Sequence, residues 1–256
     1  MSLANHVINV DLQCPGVRGL ITTRRGGVST GPWAAADGAG GLNLGLGSGD
    51  APEHVHLNRK RLSALLPSEP VWLRQVHGAR VVDAESAAAD TEADALTSMT
   101  PGTVCAVLIA DCMPVLLASR DGRGVAAAHA GWRGLAVGVI QRTVEALRGR
   151  LGHREAELLG YLGPAIGPAS FEVGPEVLEA MQVRLPDAHR AFVQASPGKY
   201  RANLFELGRM ALAQVGVRSV TGGDKCTFSD PERFYSFRRN RVTGRQAALV
   251  WIDPQR

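Results

Sequence analysis

Residues 103–119 read Thr-Val-Cys-Ala-Val-Leu-Ile-Ala-Asp-Cys-Met-Pro-Val-Leu-Leu-Ala-Ser. The run from 103 to 110 is continuously apolar, which is typical of a strand buried on both of its faces. The polar pair Asp111-Cys112 interrupts it, and a second apolar run follows at 113–118. This pattern predicts two core strands of a sheet, with a cysteine between them at a strand end.

The segments on either side alternate between strand and helix signals, which predicts an α/β fold. Further strands are predicted at 17–23, 70–76, 79–83, 123–129, 156–162 and 245–252. Helices are predicted at 52–66, 134–148, 175–185 and 204–215. Glycine is so frequent between 24 and 50 that we expect a long irregular loop there. No repeat or linker divides the chain, so residues 1–256 are predicted to form a single domain, with a mixed sheet and helices outside it.

The composition is that of a globular protein. Of 256 residues, 45% are hydrophobic and 20% are charged, which excludes a disordered, collagen-like or disulfide-dense chain. No apolar run approaches the roughly 18 residues of a membrane span, so we expect no membrane partner. The N-terminal residues lack the basic start and apolar run of a signal peptide. A cytoplasmic location is therefore expected.

The charge of the chain does not indicate a nucleic-acid surface. The net charge is +4, from 28 basic and 24 acidic residues that are scattered along the sequence. A nucleic-acid binder would gather its positive charge on one stripe. The densest basic run, at 238–241, is short. We therefore expect a solvated surface with a few anion-binding arginines and no nucleic-acid partner.

Three segments each place a metal-capable side chain at the end of an apolar strand, and these side chains are His77, Cys112 and His129. Their separations match no zinc-finger spacing, but the ends of neighbouring strands converge whatever their separation in sequence. Three protein ligands leave a fourth position open, as in catalytic zinc sites. Thiolate and imidazole donors suit zinc or copper and disfavour magnesium and calcium. The sequence therefore predicts a catalytic metal site.

A metal-free alternative uses the same residues. Cys112 could act as a nucleophile with His129 as its base, as in a cysteine hydrolase. This interpretation leaves His77 unexplained, and the adjacent Asp111 is expected to raise the pKa of the thiol. Taken singly, each of the three could also be an ordinary core residue. The metal site ranks first because it accounts for all three together.

Other residues are candidates for binding a substrate or phosphate. Arginine side chains can hold an anion, and an aromatic ring beside a guanidinium can stack a heterocyclic base. The remaining candidates lie beside the glycine loop and beside the first histidine. The predicted substrate- and phosphate-binding set is Arg24, Asn43, Gln75, Arg133, Tyr235 and Arg238.

Ordered motifs over nearly the whole chain resemble those of the YfiH family, also known as the multicopper polyphenol oxidoreductase (laccase) domain family or purine nucleoside phosphorylase family. They are Thr22-Thr-Arg-Arg-Gly-Gly-Val-Ser29, Leu42-Asn-Leu-Gly45, Gln75-Val-His-Gly78, Ala110-Asp-Cys-Met-Pro114, Ala128-His-Ala-Gly-Trp-Arg-Gly134, Leu162-Gly-Pro-Ala-Ile-Gly-Pro168, Phe171-Glu-Val-Gly174, Cys226-Thr227, Phe234-Tyr-Ser-Phe-Arg-Arg239 and Thr243-Gly-Arg245. The resemblance implies a layered α/β sandwich with a mixed sheet, like the catalytic domain of cytotoxic necrotizing factor. It also implies that His77, Cys112 and His129 are the metal ligands.

The resemblance implies a zinc-dependent purine nucleoside enzyme. Its reactions would be phosphorolysis of adenosine, inosine and S-methyl-5′-thioadenosine, and deamination of adenosine, with a purine nucleoside and phosphate as small-molecule partners. Two alternatives remain: a cysteine hydrolase that edits muramyl precursors of peptidoglycan, and a copper-dependent polyphenol oxidase. One departure weakens the oxidase, because Gly47 stands where the family's loop usually has a histidine.

Overall fold

Two β-sheets packed face to face form the centre of the chain in a computed structural model, which describes residues 3–255. The strands are β1 (Val7–Val10), β2 (Val17–Thr22), β3 (Arg25–Ser29), β4 (Val81–Asp83), β5 (Ala95–Ser98), β6 (Cys105–Ile109), β7 (Met113–Ser119), β8 (Val125–Ala130), β9 (Leu158–Leu162), β10 (Glu172–Val173), β11 (Phe192–Ser196), β12 (Lys199–Ala202), β13 (Ser219–Gly222) and β14 (Gln246–Ile252). The α-helices are α1 (Pro52–Ser63), α2 (Trp132–Val137), α3 (Val139–Leu151), α4 (Pro175–Gln182), α5 (Leu204–Gln214) and α6 (Phe237–Asn240).

The two main sheets differ in strand direction. The four-stranded sheet has the order β1-β2-β14-β6 and is antiparallel throughout. The six-stranded sheet has the order β13-β9-β7-β8-β5-β4, with parallel pairs at its two edges and antiparallel pairs between them. A small third sheet has the order β10-β12-β11. The predicted mixed-sheet α/β sandwich is confirmed.

The chain forms four layers, which are the two main sheets and helices on the outer side of each, and three hydrophobic clusters fill the spaces between them. Between the sheets, β7 contributes Leu116, which packs in one cluster with Val107 and Ala248 of the other sheet. On its opposite face β7 contributes Val115 to the cluster that α3, α4 and α5 cover. The far side of the four-stranded sheet is covered by α1, which contributes Leu62. The strand β7 is thus buried on both faces, as its continuous apolar run predicts.

Most predicted elements are present with their ends shifted by a few residues, but three predictions are wrong. The segment 70–76 is not a strand and forms only isolated bridges at Val71 and Arg74. Part of the glycine-rich region predicted to be irregular is the strand β3. The helix predicted over 134–148 begins at Trp132 and is interrupted at Gly138, whose φ of +87° ends one helix before the next begins.

Seven short strands escaped prediction. Their apolar residues are too few to show an alternating pattern, and cross-strand pairing sets their structure. These strands are β1, β3, β5, β10, β11, β12 and β13. Within residues 3–255, no helix is both long and apolar enough to cross a membrane.

Candidate metal centre

His77, Cys112 and His129 meet at one end of the six-stranded sheet. Cys112 lies in the turn between β6 and β7, and His129 lies near the end of β8, where it is paired with Pro114 of β7. His77 lies in the segment before β4. The three ligand atoms are all within 4.8 Å of one another. The structure therefore brings together the three residues that the strand-end argument selected.

The cluster is open on one side. His129 is buried, Cys112 is half-buried and His77 is exposed. The two imidazole rings meet edge to face, with their centroids 4.8 Å apart. Three ligands of this kind leave one coordination position on the solvent side, which a substrate or water can reach.

The space beside the cluster is kept open by Gly131. A Cβ atom at this position would lie 2.7 Å from Cys112 Sγ and 3.2 Å from His77 Cδ2. Any other side chain would therefore fill the space next to the thiol. One thiolate and two imidazoles suit zinc or copper. The residues present thus fit either ion.

A buried carboxylate, Asp94, supports two of the three ligands. One of its oxygens, Oδ1, lies 2.8 Å from His129 Nδ1 and accepts the backbone N–H of His77 at 2.9 Å. The other, Oδ2, accepts the backbone N–H groups of Val76 at 3.1 Å and Gly78 at 2.7 Å. Because Nδ1 of His129 faces Asp94, Nε2 is left for the cluster. These bonds also hold His77 at its unusual φ of +61°.

At the end of the segment 70–76, the amides of Val76, His77 and Gly78 donate to the Asp94 carboxylate and not to a neighbouring strand. Asp94 is not among the residues predicted from the sequence. The signal that would have found it is a lone acidic residue between small apolar ones, Ala93-Asp94-Ala95, directly before an apolar segment. Such a carboxylate is fully buried here and needs partners.

The electrostatics of the cluster favour a thiolate. Burial alone would raise the pKa of the Cys112 thiol, but the charge of His129 and hydrogen bonds from both histidines lower it to about 6. Burial would lower the pKa of His129, whereas the charge of Cys112 and the hydrogen bond to Asp94 raise it. A thiolate is both a metal ligand and a nucleophile, so this state serves either chemistry.

The turn that carries Cys112 is fixed by Asp111, which has a φ of +90°. Its carboxylate accepts the hydroxyl of Thr227 and the backbone N–H of Arg238, each at 2.6 Å. The negative charge of Asp111 is expected to raise the pKa of the adjacent thiol, but the net shift of that pKa is downward because the two histidines lower it.

The side chains of Gln75 and Asn43 form hydrogen bonds within the protein. Both residues are members of the predicted binding set. The amide group of Gln75 exchanges two hydrogen bonds with the backbone of Leu108 in β6, at 2.7 and 2.8 Å. The side chain of Asn43 is fully buried, and its oxygen accepts the backbone N–H groups of Gly45 and Arg245. These contacts hold the backbone near the cluster, and direct ligand binding by either residue stays a prediction.

Arg24 and Tyr235 are likewise buried and engaged. The guanidinium of Arg24 donates to the carbonyl oxygens of Ala34 and Pro231 and lies over the Tyr235 ring, 4.9 Å from its centroid. The Tyr235 hydroxyl donates to the Trp33 carbonyl. A role in substrate binding stays a prediction for both, and it would require these hydrogen bonds to break.

Arg133 and Arg238 are joined to the cluster in different ways. Arg133 follows His129 in the next helix, where it is exposed in α2 and lies over the Trp132 ring, 4.5 Å from its centroid. Arg238 donates through Nη1 to the Glu172 carbonyl, while its backbone N–H donates to Asp111, which precedes Cys112. Direct ligand binding by either arginine stays a prediction.

Within residues 3–255, His77, Cys112 and His129 are the one group of three metal-capable side chains that converge. The position of Gly47, where a family histidine is expected, is open, with no atom within 4 Å of a Cβ built there. A site for several copper ions needs several such groups. The geometry therefore supports one metal ion, not a multicopper cluster.

These features define a class: α/β sandwich proteins with a solvent-accessible His₂Cys centre at the strand ends of the larger sheet. Comparison with known proteins then gives the family. Residues 18–253 match the family model described as multi-copper polyphenol oxidoreductase laccase, and the chain belongs to this family.

Similar proteins extend over nearly the whole length of the chain. A purine nucleoside phosphorylase YfiH from Escherichia coli is 49% identical over 94% of this chain and 96% of its own length. A purine nucleoside phosphorylase from Pseudomonas aeruginosa, PA4543, is 48% identical over 93% of this chain and 94% of its own. The crystal structure of the Neisseria meningitidis protein NMB0706 superposes with a TM-score of 0.88 at 42% identity, covering 97% and 99% of the two chains.

Proposed function

We propose that this protein is a metal-dependent purine nucleoside phosphorylase. The observation that carries the proposal is the open cluster of His77, Cys112 and His129, whose ligand atoms lie within 4.8 Å of one another. Support for the substrate class comes from the relatives of about half identity, which are named for this activity. We propose that its reactions are phosphorolysis of adenosine, inosine and S-methyl-5′-thioadenosine, and deamination of adenosine. We further propose that the bound ion is zinc and that the protein acts in the cytoplasm.

Zinc, when bound, would supply a Lewis acid that activates water or polarises a substrate oxygen. His77, Cys112 and His129 would hold it, and Asp94 would orient His129 through the 2.8 Å contact at Nδ1. In phosphorolysis an oxygen of phosphate attacks C1′ of the ribose while the bond to the purine nitrogen breaks. The chain must therefore hold an anion and a heterocyclic base side by side.

The surroundings of the cluster offer groups for both tasks. Phe237 is 44% exposed and lies one residue before Arg238, whose backbone binds Asp111 beside the ligand Cys112. Its ring can stack a purine, and guanidinium groups nearby can hold the anion. A base next to a phosphate would then lie over the open side of the cluster.

A second candidate is a cysteine hydrolase acting on muramyl precursors. The observation that favours it is the row Cys112, His129 and Asp94, in which a thiolate, an imidazole and a buried carboxylate follow one another in the manner of a catalytic triad. In this reaction Cys112 itself would attack the substrate carbonyl. The copper-dependent polyphenol oxidase ranks third, because the described residues form one group of metal-capable side chains and not several.

The deciding experiment combines metal removal with product analysis. Purified protein is stripped with a chelator, reloaded with zinc or copper at one ion per chain, and incubated with adenosine in the presence and absence of phosphate. The proposal expects adenine to form only with phosphate and inosine to form without it, both only in the zinc-loaded protein. If neither product appears at any loading, the nucleoside enzyme is excluded.

The same preparations separate the two candidates, because a metal on Cys112 blocks its use as a nucleophile. A cysteine hydrolase would be active after metal removal and inhibited by zinc, opposite to the phosphorylase. A Cys112→Ser variant should lose zinc and activity together. Cys226→Ala is the matched control, since this thiol lies outside the cluster, and it should retain both. Phenol oxidation by the copper-loaded protein alone would favour the oxidase instead.

A further inference from the structure

We propose that Arg245 forms an oxyanion-binding subsite beside the metal centre and that this subsite takes phosphate. The inference deepens the proposed phosphorolysis and rests on it for the identity of the anion. Arg245 is not a member of the predicted binding set. The position of Arg245, the contacts that hold its backbone and its unused N–H donors each point to a role in binding a ligand.

The sheet register places Arg245 next to the turn that carries Cys112. Strand β14 begins at Gln246, which is paired with Ile109 near the end of β6. The strands are antiparallel, so the residue before Gln246 lies alongside the chain just after Ile109, where Asp111 and Cys112 follow. The side chain also lies beside the exposed ring of Phe237, with its guanidinium carbon 5.9 Å from the ring centroid.

The glycine-rich segment holds Arg245 in place from the other side. Its backbone N–H donates to Asn43 Oδ1 at 2.8 Å, and its carbonyl accepts the N–H of Leu44 at 3.0 Å. A Cβ atom on Gly45 would lie 2.6 Å from Cγ of Arg245. Gly45 therefore leaves room for the arginine side chain to run beside the loop. Asn43 and Gly45 of the Leu42-Asn-Leu-Gly45 motif thus position the backbone and the side chain of Arg245.

Arg245 differs from its buried neighbours because part of its guanidinium is vacant. Its Nη1 donates to the carbonyls of Thr243 and Gly244, at 2.9 and 3.0 Å. Among residues 3–255, no acceptor is within hydrogen-bond distance of its Nε or Nη2, and no carboxylate forms an ion pair with it. Arg239, by contrast, uses Nε, Nη1 and Nη2 on protein oxygens. Arg245 is half-buried, so its two vacant donors can still be reached.

The local charges leave this cation without a dedicated partner. Burial lowers the pKa of Arg245, while the negative charges of Cys112 and Asp111 raise it. The oxygens of Asp111 are already used by Thr227 and by the backbone of Arg238. A half-buried guanidinium with two unused donor nitrogens, Nε and Nη2, is suited to two oxygens of one oxyanion, in a charge-assisted and forked arrangement. Phosphate is that anion if the reaction is phosphorolysis.

The test measures phosphate binding separately from turnover. Zinc-loaded wild type, Arg245→Gln and Arg245→Lys are titrated with inorganic phosphate by calorimetry, and the KM for phosphate is measured with inosine. We expect Arg245→Gln to weaken phosphate binding by about tenfold or more, the effect of losing charged hydrogen bonds. Lysine keeps the charge but loses the fork, so Arg245→Lys should recover part of the affinity. Zinc content and the KM for inosine should change little.

Arg154→Gln is the matched control, because Arg154 is exposed in the turn before β9, at the sheet end opposite to the cluster. It should bind phosphate as the wild type does. Unchanged phosphate affinity in Arg245→Gln, or no binding by the wild type at millimolar phosphate, would overturn the subsite even if phosphorolysis occurs. Phosphate binding that depends on Arg245 in a protein without phosphorylase activity would leave the subsite standing and refute the proposed function.

Discussion

At the scale of single residues, Asp94 controls the geometry of the metal centre. Four donors converge on this fully buried carboxylate, three from the backbone around His77 and one from the His129 ring. Partners of this kind fix the orientation and tautomer of a ligating histidine. The ligands at 77 and 129 are thus positioned by one group.

Replacing Asp94 by Asn should weaken zinc binding by about 10- to 100-fold, the usual loss when a partner of a ligating histidine is changed. The amide keeps one acceptor oxygen but turns an N–H₂ group toward backbone donors. A chelator competition titration measures the affinity, and the NMR signal of the His129 Nδ1 proton reports the changed partner. Asp90→Asn is the control, because Asp90 is exposed and its φ of +61° suits asparagine. Equal zinc affinity in Asp94→Asn and wild type would contradict this role.

Gly131 gives a second test at this scale. Its φ of −68° suits any residue, but an added methyl group would lie 2.7 Å from Cys112 Sγ. We expect Gly131→Ala to fold and to bind less than one zinc per chain, as measured by metal analysis. The control is Gly149→Ala in α3, where no atom lies within 4 Å of the new methyl. That variant should keep its zinc and gain about 0.5–1 kcal/mol in free energy of unfolding, since alanine favours a helix over glycine. Full zinc content in Gly131→Ala would show that the space beside the thiol is not needed.

At the scale of elements, an ionic contact joins the end of α3 to β5. Glu85 accepts hydrogen bonds from the side chain of Ser98 at 2.8 Å and from the backbone of Met99 at 2.8 Å. Arg150, in the last turn of α3, donates to it at 2.8 Å. Burial alone would raise the pKa of Glu85, but the hydrogen bonds from Arg150, Met99 and Ser98 lower it to about 2. The contact therefore holds a helix to a strand that the sequence pattern did not reveal.

The pKa shift predicts a pH dependence of stability. Because the pKa of Glu85 is lower in the folded chain than its ordinary value of 4.5, its ionised form stabilises the fold fully above that value. The contribution is lost as the pH falls from 4.5 toward 2. Urea unfolding should therefore show Glu85→Gln less stable than the wild type by about 0.5–1 kcal/mol at pH 6, because solvent screens a partly exposed ion pair, with a smaller difference at pH 3. Glu155→Gln, at an exposed position, should show no such change. A difference that is the same at both pH values would refute the ionic contribution.

At the scale of the whole molecule, the two main sheets depend on one shared core. Leu116 of β7 is fully buried between the sheets and packs in one cluster with residues of β6 and β14. The metal centre lies at an end of the larger sheet, while Arg245 precedes the last strand of the smaller one. Cys112 lies in the turn between β6 of the smaller sheet and β7 of the larger one, so the proposed ion and anion sites meet where the two sheets are connected.

This arrangement predicts that the sheets unfold together. Leu116→Ala should lower the free energy of unfolding by about 2–5 kcal/mol, the range for a large-to-small change in a core. Hydrogen exchange followed by NMR should show protection falling equally in β2 and β8, which lie in different sheets. The control is Val183→Ala, because Val183 is 83% exposed, and it should change little. Protection lost in β8 but kept in β2 would show two independent units.

Much of the fold follows from local pattern. Continuous apolar runs identified the buried strands β6 and β7, and helical spacing identified the main helices. The same runs located Cys112 and His129 at strand ends, so the convergence of these two side chains was predicted before any distance was known. Short strands such as β5 were missed, because cross-strand partners and not their own residues make them strands.

The sequence by itself determined the α/β class, the metal-capable residues and the family motifs, since each of these is written in neighbouring residues. Only the tertiary structure decided which distant groups the motif residues contact. Asn43 and Arg245 are 202 residues apart, and Asp94 and His129 are 35 apart. Local patterns do not specify which distant donor meets which acceptor, because that pairing is set by sheet register and packing. Tertiary contacts therefore place the side chain of Asn43 on the backbone of Arg245, a pairing that neither local segment predicts.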